Sequence, residues 1–187
     1  MKQPGVLELP VLGLLKEREM HGYELRKQLG AMLGPFWQVS WGSLYPTLRR
    51  LAKAGAVEKT EQLPSGARST GRRKTVYRIT SNGESLFREM LNETAAVDAE
   101  HFTLKLAFFR YLPPDARMTL LERRRAYLQD KLAQFRENMR NYRERIDSYT
   151  LSLQNHSMAS TESDLAWIDE LISQERSPDG SRAKEKA

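Results

Sequence analysis

The residues best suited to chemistry lie together in the stretch W-G-S-L-Y-P-T-L-R-R-L-A-K, which begins at Trp41. Leu44, Leu48 and Leu51 recur there at i, i+4 and i+7, so they line one face of a short amphipathic helix. Ser43, Tyr45, Thr47, Arg49, Arg50 and Lys53 fall on the other faces, and no acid stands between Trp41 and Val57. Hydroxyl, phenol and cationic groups on a helix without acids suit contacts to phosphates and base edges. Gly55 ends this helix where a left-handed residue costs least. A strand from Ala56 to Thr60 comes next, then a loop from Pro64 to Arg73, then a strand from Thr75 to Thr80. Arg68, Arg72, Arg73 and Lys74 crowd that loop and its exit with no anion among them, which fits phosphate binding. A polar-faced helix joined directly to a basic-tipped hairpin is the plan of a winged helix-turn-helix. Its helix enters the major groove and its wing rides the backbone.

Two elements must position that helix. The first spans Val6 to Lys16 with Leu7, Val11, Leu14 and Leu15 inward, and it either starts near Pro10 or bends there. The second runs from about Gly22 to Leu33, with Tyr23, Leu25, Leu29, Met32 and Leu33 as core candidates, and Gly34-Pro35 stops it. Ser40 is a candidate cap for the third helix. Trp37 and Trp41 read as core or junction residues, whereas Tyr45 stands one step off the leucine face and points to DNA. A fourth helix opens at Thr80-Ser81-Asn82-Gly83-Glu84, with Thr80 or Ser81 as its cap, and carries Leu86, Phe87, Met90 and Leu91 inward.

Charge supports this partition. Eleven basic and two acidic side chains fall between Arg26 and Gly83, a net +9 in a chain whose total is +6. The natural partner of such a domain is a polyanion.

The C-terminal half of the chain is helical. Asp98 to Leu112 is apolar on nearly every side, and Pro113-Pro114 breaks it. From Asp115 to about His156 no glycine or proline occurs. One continuous helix of that length would be roughly 60 Å long. Within it Leu128, Leu132, Phe135, Met139, Tyr142, Ile146, Tyr149 and Leu153 alternate steps of four and three, a heptad seam. Such a seam packs against the last helix of its own chain (about Glu162 to Glu175, capped by Ser160 or Thr161), against a second copy, or against both. Ser177 to Ala187 has no apolar residue beyond alanine and reads as a disordered tail. The expected fold is therefore mainly α with a small β-hairpin. Residues 1–96 form a winged helix-turn-helix domain, 97–176 a coiled-coil-like helical dimerisation domain, and 177–187 the tail.

Several function classes are disfavoured. No G-x-S-x-G, phosphate-binding G-x-x-x-x-G-K-[ST] or dinucleotide-binding G-x-G-x-x-G pattern occurs, so neither an enzyme nor a cofactor is expected. His21, His101 and His156 are far apart and no cysteine accompanies them, so no metal site is expected. No apolar stretch approaches the ~20 residues that span a membrane. Glu8 interrupts the apolar run Val6–Leu15, with no small-residue cleavage site after it, which argues against a signal peptide. With no cysteine in the chain, a cytoplasmic location is expected.

Four segments, in order, resemble the PadR family of bacterial transcriptional regulators: L-x-L-x-V-L-G-L-L from Leu7, H-G-Y-E-L-R-K-Q-L from His21, G-S-L-Y-P-T-L-R-R-L-A-K-A-G-A-V from Gly42, and Y-R-I-T-S-N-G-E from Tyr77. The segment L-A-F-F-R-Y-L-P-P-D-A-R from Leu106 is similar to the longer-tailed branch of that family, whose C-terminal helices dimerise. Pro10 departs from the usual aliphatic residue, and Trp41 stands where the family often has proline. The resemblance implies a homodimer that binds an inverted-repeat operator on double-stranded DNA, commonly as a repressor released by a small aromatic or hydrophobic effector. The aromatic junction of Trp37, Phe102, Phe108 and Phe109 is a candidate effector site, and a plain core accounts for it equally. Two rival readings stand beside this one. The first is a small-molecule-binding module with incidental DNA contact. The second is a winged-helix protein-interaction scaffold built on the coiled coil.

Overall fold

The computed structural model describes residues 6–33, 39–62, 74–93, 99–142 and 147–177. The chain divides into two compact units, Met1–Tyr111 and Leu112–Ala187. The first contains α1 (Glu8–Glu17), β1 (Met20–His21), α2 (Gly22–Leu33), α3 (Trp41–Lys53), β2 (Val57–Gln62), β3 (Lys74–Ile79), α4 (Ser81–Asn92) and α5 (Ala99–Leu106), and closes on a 3-10 turn at Phe109–Tyr111.

Helix α1 is the centre of this unit. Every residue from Leu9 to Leu15 is buried, and α2, α3, α4, α5 and β3 all pack on it. Pro10 is the third helical residue, and the first hydrogen bond of the helix runs from Val11 N–H to the Leu7 carbonyl at 3.1 Å. The nitrogen of Pro10 therefore falls among those that have no helical partner, and the helix starts just before the proline. Gly13 lets the Phe108 ring close on α1: a Cβ there would lie 2.2 Å from Phe108 Cε1. Phe108 also meets Phe87 of α4 edge-on at 5.6 Å, and Phe102 meets Phe109 at 6.2 Å. These contacts fix α5 and the turn within the first unit, so the compact boundary comes after Tyr111, later than the 96/97 division expected. They also make the Phe102, Phe108 and Phe109 cluster a packed core, while Trp37 lies outside the described residues.

The sheet has three strands in the order β1-β3-β2, all antiparallel. Strand β1 pairs Met20 with Tyr77 and His21 with Val76, and a two-residue strand is too short to leave an alternation in sequence. The hairpin expected from the sequence is present, with Lys59 opposite Tyr77 and Glu58 opposite Arg78.

The second unit is a helical hairpin of α6 (Pro114–Tyr142) and α7 (Ser148–Arg176). The single helix expected from Asp115 to His156 is thereby corrected. Asp147 caps α7, its carboxylate accepting from the N–H groups of Tyr149 (2.9 Å) and Thr150 (3.1 Å) and from the Thr150 hydroxyl (2.6 Å). Those bonds favour the anion and hold its pKa below the ordinary 3.8. Nor does a separate last helix begin near Glu162. That segment is the second half of α7, and Thr161 is buried with its hydroxyl on the Ser157 carbonyl.

Antiparallel register is recorded by four ion pairs: Arg117–Glu175, Glu122–Arg176, Arg125–Asp169 and Arg136–Glu162. Between the helices Leu121, Leu128, Leu132, Ile168 and Ile172 are buried. The first part of the heptad seam thus packs within the chain. Phe135 and Met139 are half-buried, and Tyr149 and Leu153 are 87% and 64% exposed. Ile146 and the tail after Ser177 lie outside the described residues, as does the side chain of Tyr142.

Candidate nucleic-acid interface

Helix α3 is seated by its leucine face, with Leu44, Leu48 and Leu51 buried. Ser40 caps it, accepting from Ser43 N–H at 3.2 Å. At the other end Gly55 takes φ +68°, and Ala56 N–H returns to the Leu51 carbonyl at 2.9 Å. Helix α4 then clamps this exit. Thr80 donates its hydroxyl to the Gly55 carbonyl at 2.6 Å and caps Gly83 N–H at 3.1 Å, while Asn82 donates to the Ala54 carbonyl at 2.9 Å. These bonds tie the exit of α3 to the start of α4, next to the base of the hairpin.

The six polar residues of α3 do not share one fate. Tyr45, Arg49, Arg50 and Lys53 are exposed. Thr47 is not available, being 2% exposed; its hydroxyl donates to the Ser43 carbonyl at 2.9 Å and accepts from Arg50 Nη2 at 3.1 Å. Its expected place on the outer face is corrected: Thr47 lies three residues after Leu44 and four before Leu51, which puts it on the buried side. Arg50 is turned back to Glu8 of α1, Nε to Oε1 at 3.1 Å. Ser43 is half-buried and its hydroxyl donates to the Ser40 carbonyl at 2.9 Å, so it completes the cap.

The sheet extends the outer face. Tyr77 lies beside Tyr45 and Arg49: burial raises its phenol above the ordinary 10.0, Tyr45 adds to the rise and Arg49 opposes it. Lys59 pairs with Tyr77 across the strands and so shares its side of the sheet, while the neighbouring Glu58–Arg78 pair points the other way and is neutralised at 2.6 Å. Among the described residues, Arg49, Lys53 and Lys59 form no ion pair. Arg68, Arg72 and Arg73 lie outside the described residues, and Lys74 opens β3.

An aromatic group at the start of α3 escaped sequence reasoning. Trp41, expected in the core or at the domain junction, is 36% exposed, and Tyr23, expected in the core, is 68% exposed. Trp41 stacks on Tyr45 at 5.4 Å and 19°, and on Tyr23 at 6.4 Å and 29°. The Arg26 guanidinium lies 4.4 Å over the Trp41 ring. Two spacings carry the signal: Trp41 precedes Tyr45 by one turn, and Tyr23 sits opposite the Leu25–Leu29 stripe of α2.

The described residues contain no group of three or more His, Cys, Asp or Glu side chains able to hold a metal ion, and no helix long and apolar enough to cross a membrane.

Helix, turn, seated helix and antiparallel wing define the first unit as a winged helix-turn-helix, with long C-terminal helices after it. Residues 11–89 match the Transcriptional regulator PadR-like family, and residues 100–174 match the Virulence activator alpha C-term family. An uncharacterized protein of Lysinibacillus sphaericus is 30% identical over 93 residues, covering 50% of this chain and 82% of its own. The Negative transcriptional regulator PadR of Bacillus subtilis (strain 168) is 26% identical over 132 residues, covering 67% of this chain and 70% of its own. The crystal structure of Bacillus subtilis PadR in complex with operator DNA is 19% identical, covering 91% of this chain and 99% of its own at a TM-score of 0.44, too low to bear on the assignment. The chain belongs to the PadR-like family of transcriptional regulators.

Proposed function

We propose that this regulator represses transcription by binding an inverted-repeat operator on double-stranded DNA as a homodimer in the cytoplasm, without enzymatic activity. The observation that carries this reading is the face of Tyr45, Arg49 and Lys53 of α3 with Lys59 and Tyr77 of the sheet, whose three cations form no ion pair among the described residues. The first unit, through Tyr111, binds DNA, and α6 and α7 join two copies at a spacing that places the recognition helices about 34 Å apart. Arg49, Lys53 and Lys59, together with Arg68, Arg72, Arg73 and Lys74 of the wing, hold phosphates; Tyr45 and Arg49 reach base edges. Ser43, Thr47 and Arg50 shape and anchor the helix. Exposed apolar side chains on the hairpin, Tyr149 and Leu153 above all, support a second copy as the partner of the seam. The name of the Bacillus subtilis relative supports repression. A small aromatic or hydrophobic effector releases the DNA by favouring a dimer whose helix spacing no longer fits.

Fluorescence anisotropy with the duplex upstream of the protein's own gene, beside a scrambled duplex over a salt series, tests this. Preference for the native sequence at two chains per site is expected. Equal, salt-labile binding to both duplexes would overturn it. The match of residues 100–174 to a virulence activator family favours activation as a second reading, and a promoter fusion in cells with and without the protein decides the sign.

A further inference from the structure

The polar side chains that would read bases from the first turns of α3 are committed within the protein. Ser43 completes the Ser40 cap and Thr47 is buried under Arg50. What the start of the helix offers outward is a ledge of aromatic rings, Tyr23, Trp41 and Tyr45, with Trp41 in the middle. Arg26 lies against Trp41, which fixes the ring and leaves the edge of the guanidinium free to donate to a phosphate. In a helix-turn-helix the N-terminal residues of the recognition helix meet the base edges, and the apolar group presented in the major groove is the thymine C5-methyl.

We infer that Trp41 is a specificity-determining residue, which with Tyr23 and Tyr45 seats a thymine methyl in each half-site while Arg26 holds the adjoining phosphate. This inference rests on the DNA-binding reading above. It assigns the ledge an apolar contact, so that the identity of one base pair is sensed by a methyl group and not by a hydrogen bond.

Trp41 is the first helical residue after the Ser40 cap, a position whose backbone N–H has no helical partner and where proline is well tolerated. Trp41→Pro therefore deletes the ring and preserves the helix, and Trp41→Phe keeps an aromatic ring in place. The experiment selects duplexes from a random pool with the full-length protein, then replaces each thymine of the best duplex in turn by deoxyuridine, which removes only the methyl. Anisotropy is read for the wild type and both variants. For the wild type, one thymine per half-site should show about a fourfold loss, the value of one methyl removed from water. W41P should bind the thymine and deoxyuridine duplexes equally, and W41F should keep most of the difference. Retention of the fourfold difference by W41P, or a scan in which no thymine responds, overturns the ledge while leaving DNA binding intact. Failure of the wild type to select any duplex overturns the DNA-binding reading itself, and the ledge with it.

Discussion

Arg49 and Arg50 are neighbours in sequence and differ in what they face, which gives a sharp prediction. Arg49 stands exposed beside Tyr45 and Tyr77, and Lys53 and Lys59 lie on the same unpaired surface. Arg50 is spent on Glu8 and Thr47. Each phosphate contact to duplex DNA contributes about 0.9 to the slope of log K against log salt. The triple variant Arg49→Ala, Lys53→Ala, Lys59→Ala should lower that slope by roughly 2.7 for each chain bound. Between 50 and 200 mM salt, that difference means the variant loses about 40-fold less affinity per chain than the wild type. Arg50→Ala should leave the slope unchanged and cost at most about 1 kcal/mol of stability, because its ion pair is partly solvated. Anisotropy over a salt series reads the slope, and urea unfolding reads the stability. Equal falls in slope for Arg49→Ala and Arg50→Ala would refute the division between unpaired and paired cations.

Other expectations come from packing and titration. Gly13→Ala drives a methyl into the Phe108 ring, which is fully buried and has nowhere to turn, and should cost about 1–3 kcal/mol by urea unfolding. Burial holds Lys105, whose amine donates to the Glu93 carbonyl, below its ordinary pKa, with Glu93 opposing the shift. The folded state therefore binds fewer protons than the unfolded state between the lowered value and 10.5, so this group makes stability rise with pH in that window. Lys105→Met should abolish that rise in thermal melts taken over alkaline pH; a variant that keeps it refutes the assignment. Asp147 has the same sign in an acid window: its lowered pKa contributes stability above 3.8 that is lost as pH falls through the folded value. Asp147→Asn keeps a capping side chain at neutral pH and should flatten the acid limb of the melting profile.

Much of the DNA-binding unit was legible because its signals are local. The Ser40 and Thr80 caps, the left-handed Gly55 and the leucine stripe of α3 each depend on residues within one or two turns, and all stand where the sequence places them. Legibility failed where a side chain's partner comes from elsewhere in the chain. Nothing near Arg50 announces Glu8, which lies 42 residues away, and nothing near Trp41 announces Arg26 and Tyr23 of α2. Strand β1 exists because β3 offers it an edge, a fact that belongs to β3.

The seam from Leu128 to Leu153 shows a different failure. Its period is real, but a heptad records only that a stripe of apolar residues must be covered, not that the backbone beneath it is continuous. Asp147 is the deciding residue. In a helix interior its carboxylate would compete for the backbone, whereas at the cap it satisfies two N–H groups that have no helical partner. With Asp147 starting a new helix, α7 runs antiparallel to α6, and Ile168 and Ile172 are buried along with Leu121, Leu128 and Leu132. The same turn separates Tyr149 and Leu153 from the leucines that share their period, leaving them at the beginning of α7 with their surfaces open. The apolar stripe is thus divided: its first half closes the hairpin, and Tyr149 and Leu153 of its second half stay exposed.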